Sequence, residues 1–422
     1  MLRTLARFSS TTSITAFTLA LTLAACSPDE TKASTGTGPH GDAGIDAETP
    51  PAGRGRLVSA QLQSTITRAQ LEELREKSGL TTVPAPKFDV ACSTIRYETI
   101  DLHDAPVEAS GLACVPLGVA GPRPLLSYQH GTTTADSQVP SGEAGAGIFL
   151  AFLYAASGYV VSAADYLGLG AAPGFHPYLH AASEATASID MIRATRQHAR
   201  DSGVELGSQL FLAGYSQGGH ATMALHRALE AGHAAELPVT AAMPMAGSYD
   251  MSQTTIEAVF ATPAPSTPTY LAYALLAYDM VYDVYPSPEV AFAEPAKVGS
   301  LFDRKRTFDE IAKEMPTTPE AVLRPEFLNA FRTDPNHSFR AALRANDVYD
   351  WKPRAPVRLC HGGADRDVTF QNSVVAHDRM KALGADVELV AVGAELDHDT
   401  AGIPCEVAAR AYFDALVPGD TP

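Results

Sequence analysis

The pentapeptide Gly214-Tyr215-Ser216-Gln217-Gly218 lies between an apolar run ending at Gly214 and an Ala-rich run starting at Gln217. A Gly-x-Ser-x-Gly sequence at a strand-to-helix turn forms a nucleophile elbow. The turn is tight, so larger side chains two residues either side of the serine would collide. That geometry lifts the Ser216 hydroxyl clear of a sheet. It also aims the Gln217 N–H, at a helix N-terminus, towards negative charge developing beside the hydroxyl.

A serine becomes a nucleophile only beside a base, and the base needs an acid to orient it. In chain order both should follow the elbow. Cys360-His361-Gly362-Gly363-Ala364-Asp365-Arg366-Asp367-Val368 follows an apolar run, where a loop carboxylate would face the same sheet edge as Ser216. Asp365 is the chosen acid, with Asp367 as its substitute. Asp397-His398-Asp399 supplies the base, His398, between two further acids that should raise its proton affinity. His361, Asp365, Asp367, Asp397, His398 and Asp399 could also gather a divalent metal. No His-Glu-x-x-His or Cys-x-x-Cys supports that, so no metal or other cofactor is expected. His198, His226, His233 and His377 fall in or beside helical patterns and read as surface or packing residues.

A second donor to an oxyanion belongs in the loop after an early strand. Ser127-Tyr128-Gln129-His130-Gly131-Thr132-Thr133 occupies that place. Gly131 or Thr132 is the backbone candidate. Asp136 is either a side-chain participant or an organiser of the loop, and His130 either makes a structural hydrogen bond there or acts in catalysis.

These loops need a scaffold, and the pattern supplies one. Short apolar strands alternate with helices: Pro124–Gln129, then helix 144–156, strand Tyr159–Ala164 and helix His180–Arg200, with Ala182, Ala185, Ile189 and Ile192 on one face. Strand Gln209–Gly214, helix Gln217–Ala231 and strand Val239–Met245 follow. After a gap come strand Val357–Leu359, helix Gln371–Leu383, strand Val387–Val392 and helix Pro404–Leu416. Such alternation means a mostly parallel sheet covered by helices on both faces. The gap is too long for a simple crossover, so 249–354 reads as an inserted, largely helical cap. It carries Tyr270, Tyr273, Tyr278, Tyr282 and Tyr285, which either line a site for an apolar acyl group or pack the cap. Ahead of the alternation, Thr67-x-x-Gln70 forms a capping box with Ile66 and Leu71 at staple positions.

The chain has 422 residues, 45% of them hydrophobic, and a formal net charge of −17. That composition suits a folded core and argues against an extended nucleic-acid interface. The first 25 residues contain Arg3, Arg7 and an uncharged apolar run, and end Leu23-Ala24-Ala25-Cys26. They read as an export signal, residues 26–56 as a flexible tether, and 57–248 with 355–422 as the core. Removing 1–25 takes away two arginines and no acid, so the exported chain is more acidic still. In an oxidising compartment Cys92, Cys114, Cys360 and Cys405 should pair. Cys92–Cys114 is favoured because these residues bracket two strand-like runs, which leaves Cys360–Cys405.

Two resemblances sharpen the reading. The segment up to Cys26 resembles a bacterial lipobox, which implies acylation of Cys26 and a membrane anchor in the cell envelope. Tyr128-Gln129-His130-Gly131-Thr132, Asp165-Tyr166-Leu167-Gly168-Leu169-Gly170, His176-Pro177-Tyr178-Leu179 and Gly214-Tyr215-Ser216-Gln217-Gly218-Gly219 together resemble the secretory lipase family of α/β-hydrolases, the lipase A-type enzymes. The resemblance implies an α/β-hydrolase fold with a helical cap, a triad on Ser216, Asp365 and His398, and hydrolysis of small-molecule or lipid carboxylic esters through an acyl-enzyme. An exported serine peptidase or acyltransferase would use the same triad, and a non-catalytic ligand-binding lipoprotein would keep the fold alone.

Overall fold

The protein is described by a computed structural model over residues 53–143 and 146–417. The expected export signal, Cys26 and residues 27–52 of the expected tether lie outside the described residues. Residues 53–56 are held against the core: Gly55 N–H donates to Glu98 O at 2.7 Å, and Arg54 pairs with the buried Asp190 at 3.0 Å.

Among the described residues nine strands form one sheet. They are β1 (Leu57–Ile66), β2 (Val90–Ile100), β3 (Pro106–Pro116), β4 (Arg123–Gln129), β5 (Val160–Ala164), β6 (Leu206–Tyr215), β7 (Ala241–Met245), β8 (Val357–His361) and β9 (Val387–Ala391). Their order is β1-β2-β3-β5-β4-β6-β7-β8-β9. Pairings from β1 to β5 are antiparallel, and those from β5 through β4 to β9 are parallel. Every residue of β4, β5 and β7 is buried, as expected of strands covered on both faces. β1 has no counterpart in the sequence reading. It is an edge strand whose residues are mostly exposed, so it carries no inward-facing apolar alternation. The β2–β3 hairpin sets Cys92 directly opposite Cys114 with Cα atoms 4.1 Å apart, and the two form a disulfide.

Helices pack on both faces. α1 (Arg68–Lys77) opens with the expected capping box, and Leu71 is buried with Ile66 packed beside the same cluster. That cluster covers one face together with α2 (Ala146–Leu153) and the last helix, Gly402–Asp414. On the other face lie α3 (Ala181–Asp201), α4 (Gln217–Ala228) and helix Gln371–Ala382. Ala185, Ile189 and Ile192 of α3 face this core, but Ala182 is exposed at the helix start. α3 is buried around most of its circumference, between the sheet and α4, and so it also buries Glu184, Asp190 and Arg193.

Between β7 and β8 the chain leaves the sheet and becomes mostly helical. α5 (Ile256–Ala261) and α6 (Thr267–Tyr282) are followed by short helices between Pro288 and Thr333, and then by α7 (Ser338–Ala345). These helices have their own hydrophobic cluster, into which Tyr178 and Leu179 of the β5–α3 loop insert. Tyr273, Tyr278 and Tyr285 are buried in it. Beyond β8 come α8 (Gln371–Ala382), β9 and α9 (Gly402–Asp414). Among the described residues no helix is long and apolar enough to cross a membrane.

Candidate active site

β6 ends at Tyr215 and α4 begins at Gln217, leaving Ser216 as the single residue of the turn. Ser216 has φ 63° and ψ −122°, a conformation that L-residues adopt only under constraint. The constraint is close packing: a Cβ on Gly218 would lie 2.0 Å from Gln129 O, and one on Gly214 2.5 Å from the same atom. The Ser216 N–H donates to Met245 O at 2.9 Å, which ties the turn to the end of β7.

Asp365 and His398 arrive on the loops after β8 and β9. These loops are joined by main-chain bonds, Gly363 N–H to Gly393 O at 2.8 Å and Ala364 N–H to Leu396 O at 3.0 Å. Cys360, at the end of β8, and Cys405, in α9, brace them from either side through the second disulfide. His398 Nε2 lies 2.9 Å from Ser216 Oγ, and His398 Nδ1 lies 2.6 Å from Asp365 Oδ2. A carboxylate accepts, so Nδ1 carries the proton and Nε2 is left to take one from the serine. The other oxygen of Asp365 accepts the N–H groups of Asp367 and Val368 at 3.0 and 2.9 Å. Tyr215 OH donates to His398 O at 2.6 Å.

The charges follow from this geometry. Burial alone would raise Asp365, but the His398 charge and hydrogen bonds from His361 and His398 outweigh it and hold the carboxyl at about 2. Burial lowers the His398 imidazole, but Asp365 most of all, with Asp367 and Asp399, overcomes that, and the net direction is upward. The remaining acids have other partners. Asp367 accepts from Ser266 Oγ, and Asp397 accepts from the Thr400 N–H at 2.9 Å.

Gly131 sits against the elbow, since a Cβ there would lie 3.2 Å from Tyr215 O and 3.8 Å from Ser216 Cβ. Thr132 Oγ1 is 2.8 Å from Tyr178 OH. His130 stacks on Tyr166 with centroids 4.2 Å apart, its Nδ1 is 2.8 Å from Gly131 O and its Nε2 is 3.3 Å from Asp165 O, so it ties its own loop to the segment after β5. The Asp136 carboxylate points to Arg304 Nη2 at 3.1 Å and to the Gly170 N–H at 3.0 Å. Both partners lie on loops that Asp136 joins to its own.

Four neighbours of the site were not singled out for such roles from sequence. His361 Nε2–H reaches Asp365 Oδ2 at 3.1 Å and Val368 O at 2.9 Å, while its Nδ1 faces Ser373 Oγ at 2.7 Å. The Gln217 amide donates to Glu184 at 2.9 Å and to His176 Nε2 at 2.8 Å, and His220 Nδ1 meets the other Glu184 oxygen at 2.7 Å. The residue after Ser216 is therefore pinned by a buried polar chain. Burial lowers His176 to about 4, which suits an imidazole that accepts from the amide. His220, four residues past Ser216, was the one visible signal. Among the described residues no three His, Cys, Asp or Glu side chains are grouped to hold a metal ion.

A cavity enclosing about 640 Å³, part of it open to solvent, runs from Ser216 and Gln217 to α5, α6 and α7. Its walls are mostly apolar: Leu179, Met251, Ile256, Val259, Leu271, Ala274, Phe339 and Leu343, with Tyr270 and Asp367 also lining it. The arrangement can attack an electrophilic carbon with Ser216, move the proton through His398, and hold an apolar group beside it.

Residues 137–261 match the secretory lipase family. A ligand-bound form of the rice cell wall degrading esterase LipA from Xanthomonas oryzae is 30% identical, with a TM-score of 0.80 over 86% of this chain and 98% of that one. A chain from Legionella pneumophila is 28% identical, with a TM-score of 0.81 over 87% of this chain and 99% of its own. Candida antarctica lipase A shares the fold at 18% identity, with a TM-score of 0.60 over 87% of this chain and 83% of that one. No curated protein matches the chain.

Proposed function

The chain belongs to the secretory lipase family of α/β-hydrolases and is a carboxylic ester hydrolase, and from that premise we propose that it works through an acyl-enzyme on Ser216. Ser216 Oγ attacks the ester carbonyl while His398 Nε2 takes its proton. The oxyanion is held by the N–H of Gln217 and by a backbone N–H of the Gly131–Thr132 loop. His398 then gives the proton to the leaving alkoxide. Water, activated by the same nitrogen, releases the acid. Asp365 fixes the tautomer of His398 and stabilises the imidazolium. Asp136 organises the oxyanion loop.

The observation that carries this reading is the unbroken line from Ser216 Oγ through His398 to Asp365, at 2.9 and 2.6 Å. The helical segment between β7 and β8 acts as the cap, and its apolar cavity suits a medium or large apolar acyl group. A family of secreted enzymes and two disulfides fit a protein that works after export. Attachment to a membrane through acylated Cys26 is part of the same proposal. A fluorophosphonate probe, which needs an activated serine, tests the mechanism. Labelling should fall on Ser216 and be blocked by a turned-over ester. Absence of label from folded, ester-cleaving protein would rule out the serine route.

A further inference from the structure

Four consecutive residues of the loop that carries Gly131 and Thr132 are held from the helical segment between β7 and β8. Thr133 O accepts from Tyr273 OH at 3.2 Å, and Thr134 Oγ1 donates to Arg306 O at 2.7 Å. Ala135 forms a bridge with Arg304, and the Asp136 N–H donates to Arg304 O at 2.9 Å. The side chain of Arg304 returns to the same loop. Its Nε and Nη2 donate to Asp136 Oδ1 at 3.2 and 3.1 Å. Nη2 also reaches Gly170 O at 2.7 Å, and Nη1 reaches Ala172 O at 2.9 Å and Gly174 O at 3.2 Å.

A guanidinium has five N–H groups in a fixed planar fork, and here every one has an acceptor. The set spans two loops, 131–136 and 170–174, while the residue itself sits on a third segment. Arg304 also holds φ at 65°, a left-handed conformation that costs a non-glycine residue energy and persists only where neighbours impose it. Asp136 Oδ1 takes the Gly170 N–H as well, so one carboxylate and one guanidinium lock the three segments together.

We infer that Arg304 is a positioning residue for the oxyanion loop, joining the helical segment to the backbone that faces Ser216, a role that rests on the acyl-enzyme reading above. Arg304 touches neither the nucleophile nor the cavity that opens from it. It acts on the chemistry by fixing where the loop backbone stands when the tetrahedral oxyanion forms. An oxyanion donor counts only in the transition state, so loosening it lowers kcat and leaves ground-state binding nearly alone.

The test is Arg304→Ala, Arg304→Lys and the unchanged chain assayed on a chromogenic ester, with and without millimolar guanidinium, beside circular dichroism for the folded fraction. The Arg304 side chain is 26% exposed, so the space it leaves is open to a small cation. Arg304→Ala should lose on the order of 10- to 100-fold in kcat with KM little changed, since misplacing a group by about 1 Å costs that much. Guanidinium should restore much of the loss. Arg304→Lys should stay impaired, because an ammonium cannot span both loops. Asp136→Asn, which keeps the fold's volume, should show the same kcat-specific loss and carries the test if Arg304→Ala fails to fold. Unchanged kcat, an effect on KM alone, or a loss that follows the folded fraction and ignores guanidinium would overturn the role. Unchanged protein that is neither labelled at Ser216 nor active would overturn the acyl-enzyme reading, and this role with it.

Discussion

Asp365 and His398 share a 2.6 Å contact between a carboxylate oxygen and Nδ1, and the same oxygen also accepts from His361 at 3.1 Å. The acid is therefore held from two sides, with its second oxygen on two backbone N–H groups. Little freedom remains for it to turn away when His398 gains a proton.

That rigidity separates the two candidate acids. Asp365→Asn would leave the shape intact but favour the wrong tautomer of His398, and kcat should fall by on the order of 10⁴-fold. Asp367→Asn removes a carboxylate that bonds Ser266 and only adds to the proton affinity of His398. It should retain most activity and move the acid limb of the pH profile down. Steady-state kinetics of the two variants would decide, and equal losses would undo the assignment.

The pH dependence follows from the same pair. His398 must be neutral to act as base, and its proton affinity is raised by Asp365. The acid limb of kcat/KM should therefore lie above the ordinary imidazole value of about 6.5. Stability runs differently. Asp365, held at about 2, stabilises the fold above its unfolded value of about 3.9, and that contribution is lost as pH falls towards 2. His398, raised in the fold, contributes below its unfolded value and loses that contribution as pH rises through its folded one. A pH–rate profile beside a pH–melting series measures both.

The Cys360–Cys405 disulfide closes 45 residues that include both Asp365 and His398. Replacing both cysteines by serine should cost about 3–4 kcal/mol by loop entropy. It should also lower kcat, because the two loops lose their common brace. Replacing Cys92 and Cys114 should destabilise without touching kcat, since that bond joins two neighbouring strands far along the sheet from the elbow. Chemical denaturation with kinetics on each double variant checks the contrast.

Val259 is half-buried and lines the cavity that runs from Ser216. Val259→Trp should shorten the acyl group the cavity accepts, with kcat/KM for long-chain esters falling about tenfold or more while acetate is spared, as expected when a pocket is filled by more than one or two methylenes. A chain-length series of nitrophenyl esters measures it.

The sheet centre and the elbow were legible because they depend on local pattern. β4, β5 and β7 are short and mostly apolar, as strands buried along their whole length must be, and the glycines beside Ser216 announce a turn that only small residues fit. Asp365 and His398 could be placed because strand ends share an edge of the sheet. β1 left no signal, since an exposed edge strand needs no alternation. Glu184 among alanines resembles a solvated helix residue, and its burial comes from α4 and His220, which lie far along the chain. Arg304 is hidden for the same reason: the four acceptors of its five N–H groups come from two loops more than a hundred residues earlier.

The most direct measurement is hydrolysis of a chromogenic ester by purified Ser216→Ala beside the unchanged chain. The expected result is a loss of several orders of magnitude in kcat with the fold intact, because triad members act as a unit. Near-normal hydrolysis by folded Ser216→Ala protein would contradict the mechanism.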